Sequence, residues 1–397
     1  MSRAGTISVG RRQVGCSLLL LLMAALSVCA RAPGSAPRVR RPRLRPGPVK
    51  LKPRPRRGVP PAVQPAAQRP PIFVCIIMHN EGPKPPIWPD FVSDTAAFVA
   101  HRGAVIRFAQ MVKACGAKLN FQSDWSFLAA EKARELALLH KGAGTLPAPR
   151  RSRGRGGPGA GTEYGKRVPA SKNLVRYLTE DLGFEVDPHT HSAQHGRNYA
   201  DVAYLLKSLG VTPSCTVGGF IAWPPGASEL EQFWAPVTGQ HYAYQWTATL
   251  LSGAGTHDHQ DEGLLVRSGI WRPRSRLAPT EHAADAPLPM IGAYGAAPPE
   301  VGPKTTNWNA LKHLLWLRAR GMLTYGRIYT CTLFVGQKWL VEEPGFTDRF
   351  EARLRGLMHE PRLRWVGLAE LLGIWQTDYN AQPCIFRVPS QIPAELP

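Results

Sequence analysis

The first 70 residues contain neither acidic nor aromatic side chains, although they carry 15 of the 49 Lys and Arg residues. The rest of the chain has 34 Lys and Arg residues against 28 acidic ones, so the formal net charge of +21 belongs mainly to this N-terminal segment. Basic segments that bind single-stranded nucleic acid usually combine their charges with aromatic side chains. Their absence argues against nucleic acid as a partner.

Long apolar runs are also absent, and this bears on the N-terminus. The run from Ser17 to Val28 is uncharged and Leu-rich but too short to span a bilayer comfortably, and three arginines precede it. This pattern predicts an export signal over residues 1–32, and the alternative is an uncleaved membrane anchor. The candidate processing residues are Ala30 and Ala32 for cleavage, Arg11 and Arg12 for a twin-arginine route, and Cys29 for lipid attachment. Each of these interpretations places the rest of the chain outside the cytoplasm.

Two further segments have too little apolar content to form a core. Residues 33–70 are rich in Pro and Arg, and residues 142–169 are rich in Gly, Pro and Arg. We expect a disordered linker in the first case and a disordered insertion in the second. The linker is either a simple spacer or a tether to an anionic envelope polymer. The seven cysteines show no C-x-x-C spacing, which gives no support to a zinc-finger or redox motif.

From Pro71 the pattern changes to that of a folded α/β domain over residues 71–397. Ile72 to Met78 is a continuous apolar run, which is typical of a buried parallel strand. A helical pattern from Phe91 to Ala114, a strand from Ala117 to Gln122 and a helix from Ala129 to His140 follow. This succession predicts a parallel sheet or an α/β barrel.

Three histidines, His189, His191 and His195, lie within seven residues after the next predicted strand, Gly183 to Val186. Asp187-Pro188 ends that strand, because the residue before a proline avoids helical angles. Asn198 is predicted to cap a helix that runs on to Leu209. The histidines therefore occupy a strand-to-helix loop, where parallel α/β folds place their sites. Imidazole is a common metal ligand, and we expect a metal site here rather than a plain polar loop.

On these residues the chain resembles the NodB-like polysaccharide deacetylases, a carbohydrate esterase family. Met78-His79-Asn80-Glu81-Gly82 is similar to the family's Thr-Phe-Asp-Asp-Gly motif, and His191-Ser-Ala-Gln-His195 is similar to its His-(Ser/Thr)-x-x-His motif. The spacing from the strand also allows His189 with His191 as the pair. The resemblance implies a distorted or partial (β/α) barrel that binds one divalent metal, with zinc expected.

In this comparison Glu81 takes the place of the ligating carboxylate, and Asn80 takes the place of the catalytic base. An amide cannot accept a proton, so Asp124 or the loop acids Asp258 and Asp261 become candidates for the base. Arg272, in Trp271-Arg272-Pro273, approximates the arginine that orients the base. The late histidine that protonates the leaving group is missing from Gly326–Gln337, and His79, His257 and His259 are candidates for that role.

The leading hypothesis is an exported, metal-dependent hydrolase that removes acetyl groups from an envelope or extracellular polysaccharide. Such a reaction needs an activated water and stabilisation of an oxyanion, and a metal with open positions supplies both. One alternative is a degenerate member of the family that binds glycan without turnover, which Asn80 and the missing late histidine motivate. Another is a metal hydrolase with a non-acetyl substrate.

Overall fold

A computed structural model describes residues 69–81, 90–140, 172–190, 197–218, 229–252, 266–296 and 308–389. Residues 62–397 group as one compact unit. The predicted export signal with Cys29, the linker up to residue 68 and the insertion at 142–169 lie outside the described residues and stay predictions. In the part of the chain that is described, no helix has the length and apolarity needed to cross a membrane.

The main sheet is parallel and is built around the apolar run that follows Pro71. Its strands are β1 (Ile72–Asn80), β2 (Asn120–Ser123), β3 (Glu185–Pro188), β13 (Tyr329–Gly336) and β14 (Leu363–Trp365). Strand β1 pairs with β13 along one edge, while β2 and β14 share its other edge at opposite ends. All nine residues of β1 are buried, as expected for a strand covered on both faces.

The remaining strands are shorter, and several have only two residues. They are β4 (Thr216–Gly218), β5 (Val237–Thr238), β6 (Gln245–Trp246), β7 (Leu250–Ser252), β8 (Arg267–Ser268), β9 (Ile270–Trp271), β10 (Pro273–Ser275), β11 (Ala278–His282), β12 (Met290–Ile291) and β15 (Phe386–Arg387). A second sheet has the order β4-β7-β12-β9, with β9 antiparallel to β12. The other strands form two-stranded pairs, β10 with β11, β15 with β8 and β5 with β6.

Single backbone hydrogen bonds lie at the two junctions between the main sheet and the second sheet. Ser214 N donates to Val186 O (3.3 Å) on the β3 side, and Thr332 N donates to Tyr294 O (2.8 Å) on the β13 side. Within the described ranges the strand ladders themselves do not continue across these junctions. The expected α/β class with a parallel sheet is therefore confirmed, and the distorted or partial barrel stays a prediction.

Helices cover the main sheet, and their ends follow from local sequence. They are α1 (Thr95–Ala114), α2 (Trp125–His140), α3 (Leu174–Arg176), α4 (Tyr199–Ser208), α5 (Glu229–Gln232), α6 (Trp308–Ala319), α7 (Gln337–Glu342), α8 (Phe346–Met358) and α9 (Leu368–Thr377), and a π-helical turn, Tyr177–Asp181, follows α3. The predicted cap of α4 is confirmed: Asn198 and Asp201 form a reciprocal capping box. The helical segment that leads into β3 is mostly this π-helical turn, since α3 has only three residues.

Buried polar groups join several of these elements. Glu131 of α2 is fully buried and forms ion pairs with Arg102 of α1 (2.8 Å) and with Arg134 (3.3 Å). Its Oε1 also accepts from the backbone N–H of Leu174 (2.7 Å). At the other end of the sheet, the Glu185 carboxylate accepts from the N–H groups of Leu368 and Ala369 and so caps α9.

Candidate metal centre

At the carboxyl ends of three neighbouring strands, polar residues lie opposite one another in the strand register. His79 of β1 is level with Gln122 of β2, and Gln122 is level with Asp187 of β3. The backbone hydrogen bonds from Asp124 N to Asn80 O (2.8 Å) and from His189 N to Ser123 O (2.9 Å) extend the two ladders. Side chains two residues apart on a strand share a face of the sheet. Glu81, Asp124 and His189 each lie two residues further on, so they are neighbours on the same face as His79, Gln122 and Asp187.

His79, Glu81 and His189 form a compact group in which each can offer one ligand atom, and these atoms all lie within 4.8 Å of one another. Both imidazoles approach the same carboxylate oxygen: His79 Nδ1 lies 3.9 Å and His189 Nε2 lies 3.8 Å from Glu81 Oε1. The ring of His79 stacks on that of His189, with a centroid distance of 4.2 Å and an interplanar angle of 25°. Both histidines are buried, and Glu81 is partly exposed.

This donor set fits a divalent transition metal. Two imidazoles and one carboxylate make up a ligand set known from catalytic zinc sites, with a position left for water or substrate. Ligand atoms that share one such ion lie roughly 3.4 Å apart, from bonds of about 2.1 Å in tetrahedral geometry. The separations of 3.8 Å and 3.9 Å therefore need only a small contraction. The ion's identity does not follow from this set, because imidazole also suits other first-row metals.

The peptide carbonyl of Gly218 orients His189 for such a role. His189 Nδ1 lies 3.2 Å from Gly218 O, and a carbonyl can only accept, so Nδ1 carries the proton. This tautomer leaves the lone pair of Nε2 directed to the side where Glu81 lies. Fixing a ligating histidine through its second nitrogen is a common property of metal sites. Tyr199 Oη donates to the same carbonyl at 3.3 Å and helps to hold it.

Gln122, opposite His79 in the strand register, is a further polar residue near the centre. Its side chain is fully buried, and neither of its amide atoms finds a hydrogen-bond partner among the described residues. The amide lies so close to Gly218 that an added Cβ at this glycine would be 1.5 Å from Gln122 Oε1. Only glycine fits at position 218 without displacing Gln122, and the sequence gives no signal of this contact.

Asp124 is the acid beside the centre. It is 2% exposed, and its Oδ1 accepts from Ser126 N (3.0 Å) at the start of α2. Burial raises the pKa of this carboxyl well above its usual range, and the negative charge of Glu81 raises the pKa further. The nearby Arg197 guanidinium opposes the shift. Asp124 therefore caps the start of α2 next to the cluster, and its surroundings favour the protonated form of the carboxyl.

Asn80 lies one residue away from these groups but has a different environment. Its side chain is fully buried, and Nδ2 donates to Ser123 Oγ (3.0 Å) on the neighbouring strand. Asn80 and Ser123 are paired across the ladder, on the face opposite to that of His79 and Glu81. This contact joins two strands, and the catalytic role that the resemblance assigned to this position stays a prediction.

The other predicted site residues are distributed as follows. Arg272 follows β9 in the second sheet, and its Nη1 donates to the carbonyls of Ala286 (2.9 Å) and Pro287 (2.7 Å). His191 and His195, and likewise Asp258 and Asp261 with their neighbouring histidines, lie outside the described residues. Glu81 and His189 are thus brought together with Asp124 nearby, and His79, expected only as an acid, joins them as a potential ligand.

Comparison with known proteins finds structural neighbours but no sequence match. No protein-family model matches the chain, and no curated protein matches it. Among solved structures, a probable polysaccharide deacetylase from Pseudomonas aeruginosa PAO1 is 11% identical, with 78% of this chain and 93% of that chain covered and a TM-score of 0.44. A 4-alpha-glucanotransferase from Thermococcus litoralis is 10% identical, with 79% of this chain covered and a TM-score of 0.40.

This chain spans 41% of the length of the glucanotransferase. PuuE allantoinase is a further similar structure, 11% identical, with 77% of this chain and 90% of that chain covered and a TM-score of 0.44. Polysaccharide deacetylases are thus among the structural neighbours, at low similarity. With TM-scores of 0.44 or less and identities near 10%, these neighbours establish no function for the chain.

Proposed function

We propose that the protein is a metal-dependent hydrolase that removes acetyl groups from a polysaccharide. The observation that supports this proposal is the group His79, Glu81 and His189 at the carboxyl ends of two parallel strands, with Asp124 beside it. His79, Glu81 and His189 would hold one divalent ion, with zinc as our first choice. When bound, the ion would supply an activated water and stabilise the oxyanion.

The chain's own residues then have separable roles. Asp124, in its ionised form, would take the proton of the attacking water. The charge of a bound divalent ion would favour that form against burial and the charge of Glu81, which both raise the pKa of the carboxyl. Gly218 holds His189 in the tautomer that a ligand needs. Leaving-group protonation is assigned to the loop at 257–262, where His257 and His259 stay candidates, because His79 is used as a ligand in this arrangement.

The acetylated polysaccharide substrate and the export of the protein are the parts of the proposal that rest on the sequence. The choice of an acetylated polysaccharide follows from the resemblance of the motifs around Glu81 and the three histidines. Export follows from the N-terminal pattern alone. The roles of His191, His195, Asp258 and Asp261 as further ligands or bases belong to the same proposal.

A second candidate is a protein that binds glycan without turning it over. Asn80 favours it, because this position has an amide where the resemblance expects the base, and the amide is hydrogen-bonded to Ser123. In that case the metal group would be structural or would serve binding. Acetate release separates the two candidates.

The test is metal content by elemental analysis on the full chain purified without chelator. We expect about one divalent ion per chain, lost in His189→Ala and Glu81→Ala and kept in the control His359→Ala, an exposed histidine at the end of α8. Acetate release from acetylated polysaccharides should follow the metal and should fall steeply in Asp124→Asn. If the native chain binds no ion after reconstitution, the hydrolase proposal is wrong. Metal without acetate release would favour the binding candidate or a non-acetyl substrate.

A further inference from the structure

A row of cationic and aromatic side chains begins next to the metal centre. Trp125 directly follows Asp124, and Arg197 Cζ lies 4.4 Å from the centroid of the Trp125 ring. The same guanidinium lies 5.9 Å from the centroid of Tyr242, and Nη1 donates to the Tyr242 hydroxyl at 3.4 Å. Arg197 therefore connects the start of α2 to the segment between β5 and β6.

The row continues away from the centre across the outer side of α4. Tyr242 stacks on Tyr204, with a centroid distance of 4.3 Å and an interplanar angle of 27°. Tyr204 lies 5.9 Å from Tyr244, and Lys207 Nζ lies 5.2 Å from the centroid of Tyr244. Tyr204 is 38% exposed and Lys207 is exposed as well. We name these four residues, Tyr204, Lys207, Tyr242 and Tyr244, the tyrosine surface.

The tyrosine surface is held in place from beneath by one buried acid. Asp201, fully buried on α4, accepts from the backbone N–H groups of Gln240 (3.0 Å), His241 (2.8 Å) and Tyr242 (2.8 Å). These bonds fix the segment between β5 and β6 against α4 without using the tyrosine hydroxyls. A surface that is already ordered loses little conformational entropy when a ligand binds.

The two cations on this row, Arg197 and Lys207, differ in how they meet acidic groups. In the described part of the chain neither Arg197 nor Lys207 lies within salt-bridge distance of a carboxylate, although 11 pairs of a Lys or Arg with a carboxylate occur there. Arg197 does interact electrostatically with the buried Asp124 and lowers the pKa of its carboxyl. The acid nearest in sequence, Asp201, is buried with its oxygens occupied by backbone amides. An anionic ligand would therefore find the charge of Lys207 available to it, while that of Arg197 is shared with Asp124.

We propose that Arg197 and the tyrosine surface bind the chain of an acidic polysaccharide and lead it towards the metal centre. This inference rests on the proposed function and specifies its substrate as a glycan with carboxylate or phosphate groups. Aromatic rings offer apolar faces to the C–H groups of sugars, and guanidinium and ammonium groups pair with carboxylates and phosphates. Single-stranded nucleic acid offers related groups, bases that stack and phosphates that pair with cations, and the experiment distinguishes it from a glycan.

The experiment measures binding of a polyuronate hexasaccharide, a neutral N-acetylglucosamine hexasaccharide and a single-stranded oligonucleotide to the full chain. Chelator is present, so that turnover does not interfere. The key variant is Lys207→Glu, and its matched control is Arg320→Glu. Arg320 also lies over an aromatic ring, at 5.1 Å from the centroid of Trp316 on α6, and the control changes the net charge equally. The basic N-terminal segment contributes the same background to both.

We expect Lys207→Glu to weaken polyuronate binding about tenfold or more, with Arg320→Glu within twofold of the native chain. Tyr204→Ala should weaken binding of both hexasaccharides, and thermal unfolding checks that each variant is folded. Equal losses in the two Glu variants, or no loss in either, would overturn the inference. So would a stronger, Lys207-dependent binding of the oligonucleotide. Because binding is measured without metal, this result is independent of metal content and acetate release, which test the proposed function.

Discussion

Replacing Gly218 by alanine should destabilise the fold and disturb the metal centre together. The added Cβ would lie 1.5 Å from Oε1, 2.2 Å from Cδ and 2.5 Å from Nε2 of Gln122, a fully buried side chain. The φ angle of Gly218 is outside the left-handed region, so the cost comes from this collision and not from the backbone.

The magnitude follows from two contributions. Overpacking of a buried site costs about 1–3 kcal/mol. If the strand moves to relieve it, the bonds to Gly218 O from His189 and Tyr199 weaken, at about 1 kcal/mol each. We expect the free energy of unfolding to fall by about 3–5 kcal/mol in chelator-treated protein. Loss of the His189 orientation should weaken metal binding by about 10–100-fold.

Urea unfolding and a metal competition titration measure these two effects. Adding Gln122→Ala to Gly218→Ala removes the colliding amide, so the double variant should recover much of the stability lost. The control is Gly356→Ala within α8, where no atom lies within 4 Å of the added Cβ and stability should stay equal or rise by up to about 1 kcal/mol. A Gly218→Ala protein within 1 kcal/mol of the native chain, or no recovery in the double variant, would refute this reasoning.

Three further predictions concern acids that are buried or partly buried. Burial raises the pKa of Asp187 from 3.8 to about 7, so the folded chain holds a proton that the unfolded chain releases, and the free energy of unfolding in chelator should fall as pH rises from about 4 to 7. Asp187→Asn should flatten that slope. Glu185→Ala removes the acceptor of two α9 N–H groups and should cost about 2 kcal/mol in urea unfolding. Glu131→Ala leaves Arg102 without its buried partner and should cost about 3–5 kcal/mol, whereas Glu342→Ala, in an exposed pair with Lys338, should cost less than about 1 kcal/mol.

Local patterns in the sequence predict the first half of the fold well. The apolar run at Ile72 and the cap at Asn198 are local signals, and both elements are present as β1 and α4. The third strand is shifted by two residues, to Glu185–Pro188, because its end is determined by hydrogen bonds to β2 and not by the proline. Two-residue strands such as β9 and β12 carry no periodicity and exist only through their pairing.

The sequence predicts which residue types form the candidate site, but it does not predict which of these residues lie next to one another. Glu81 and His189 were expected as ligands from motif and spacing. That Glu81 and His189 lie close together, and that His79 lies beside them, depends on the register of β1, β2 and β3. A single sequence does not reveal that register. The contact of Gln122 with Gly218 likewise joins strands of different sheets and leaves no local pattern.

The division of one edge of β1 between β2 and β14 has a consequence for how the chain reaches its native state. Ile72 pairs with Leu363, so the strand made first is completed only when nearly the whole domain has been synthesised. Contacts of such sequence separation slow folding. Until then Ile72 to Val74 lack their partner on this edge and present an unpaired, apolar segment of the kind that pairs with other chains. Fragments that end before β14 should therefore aggregate more readily than the full chain.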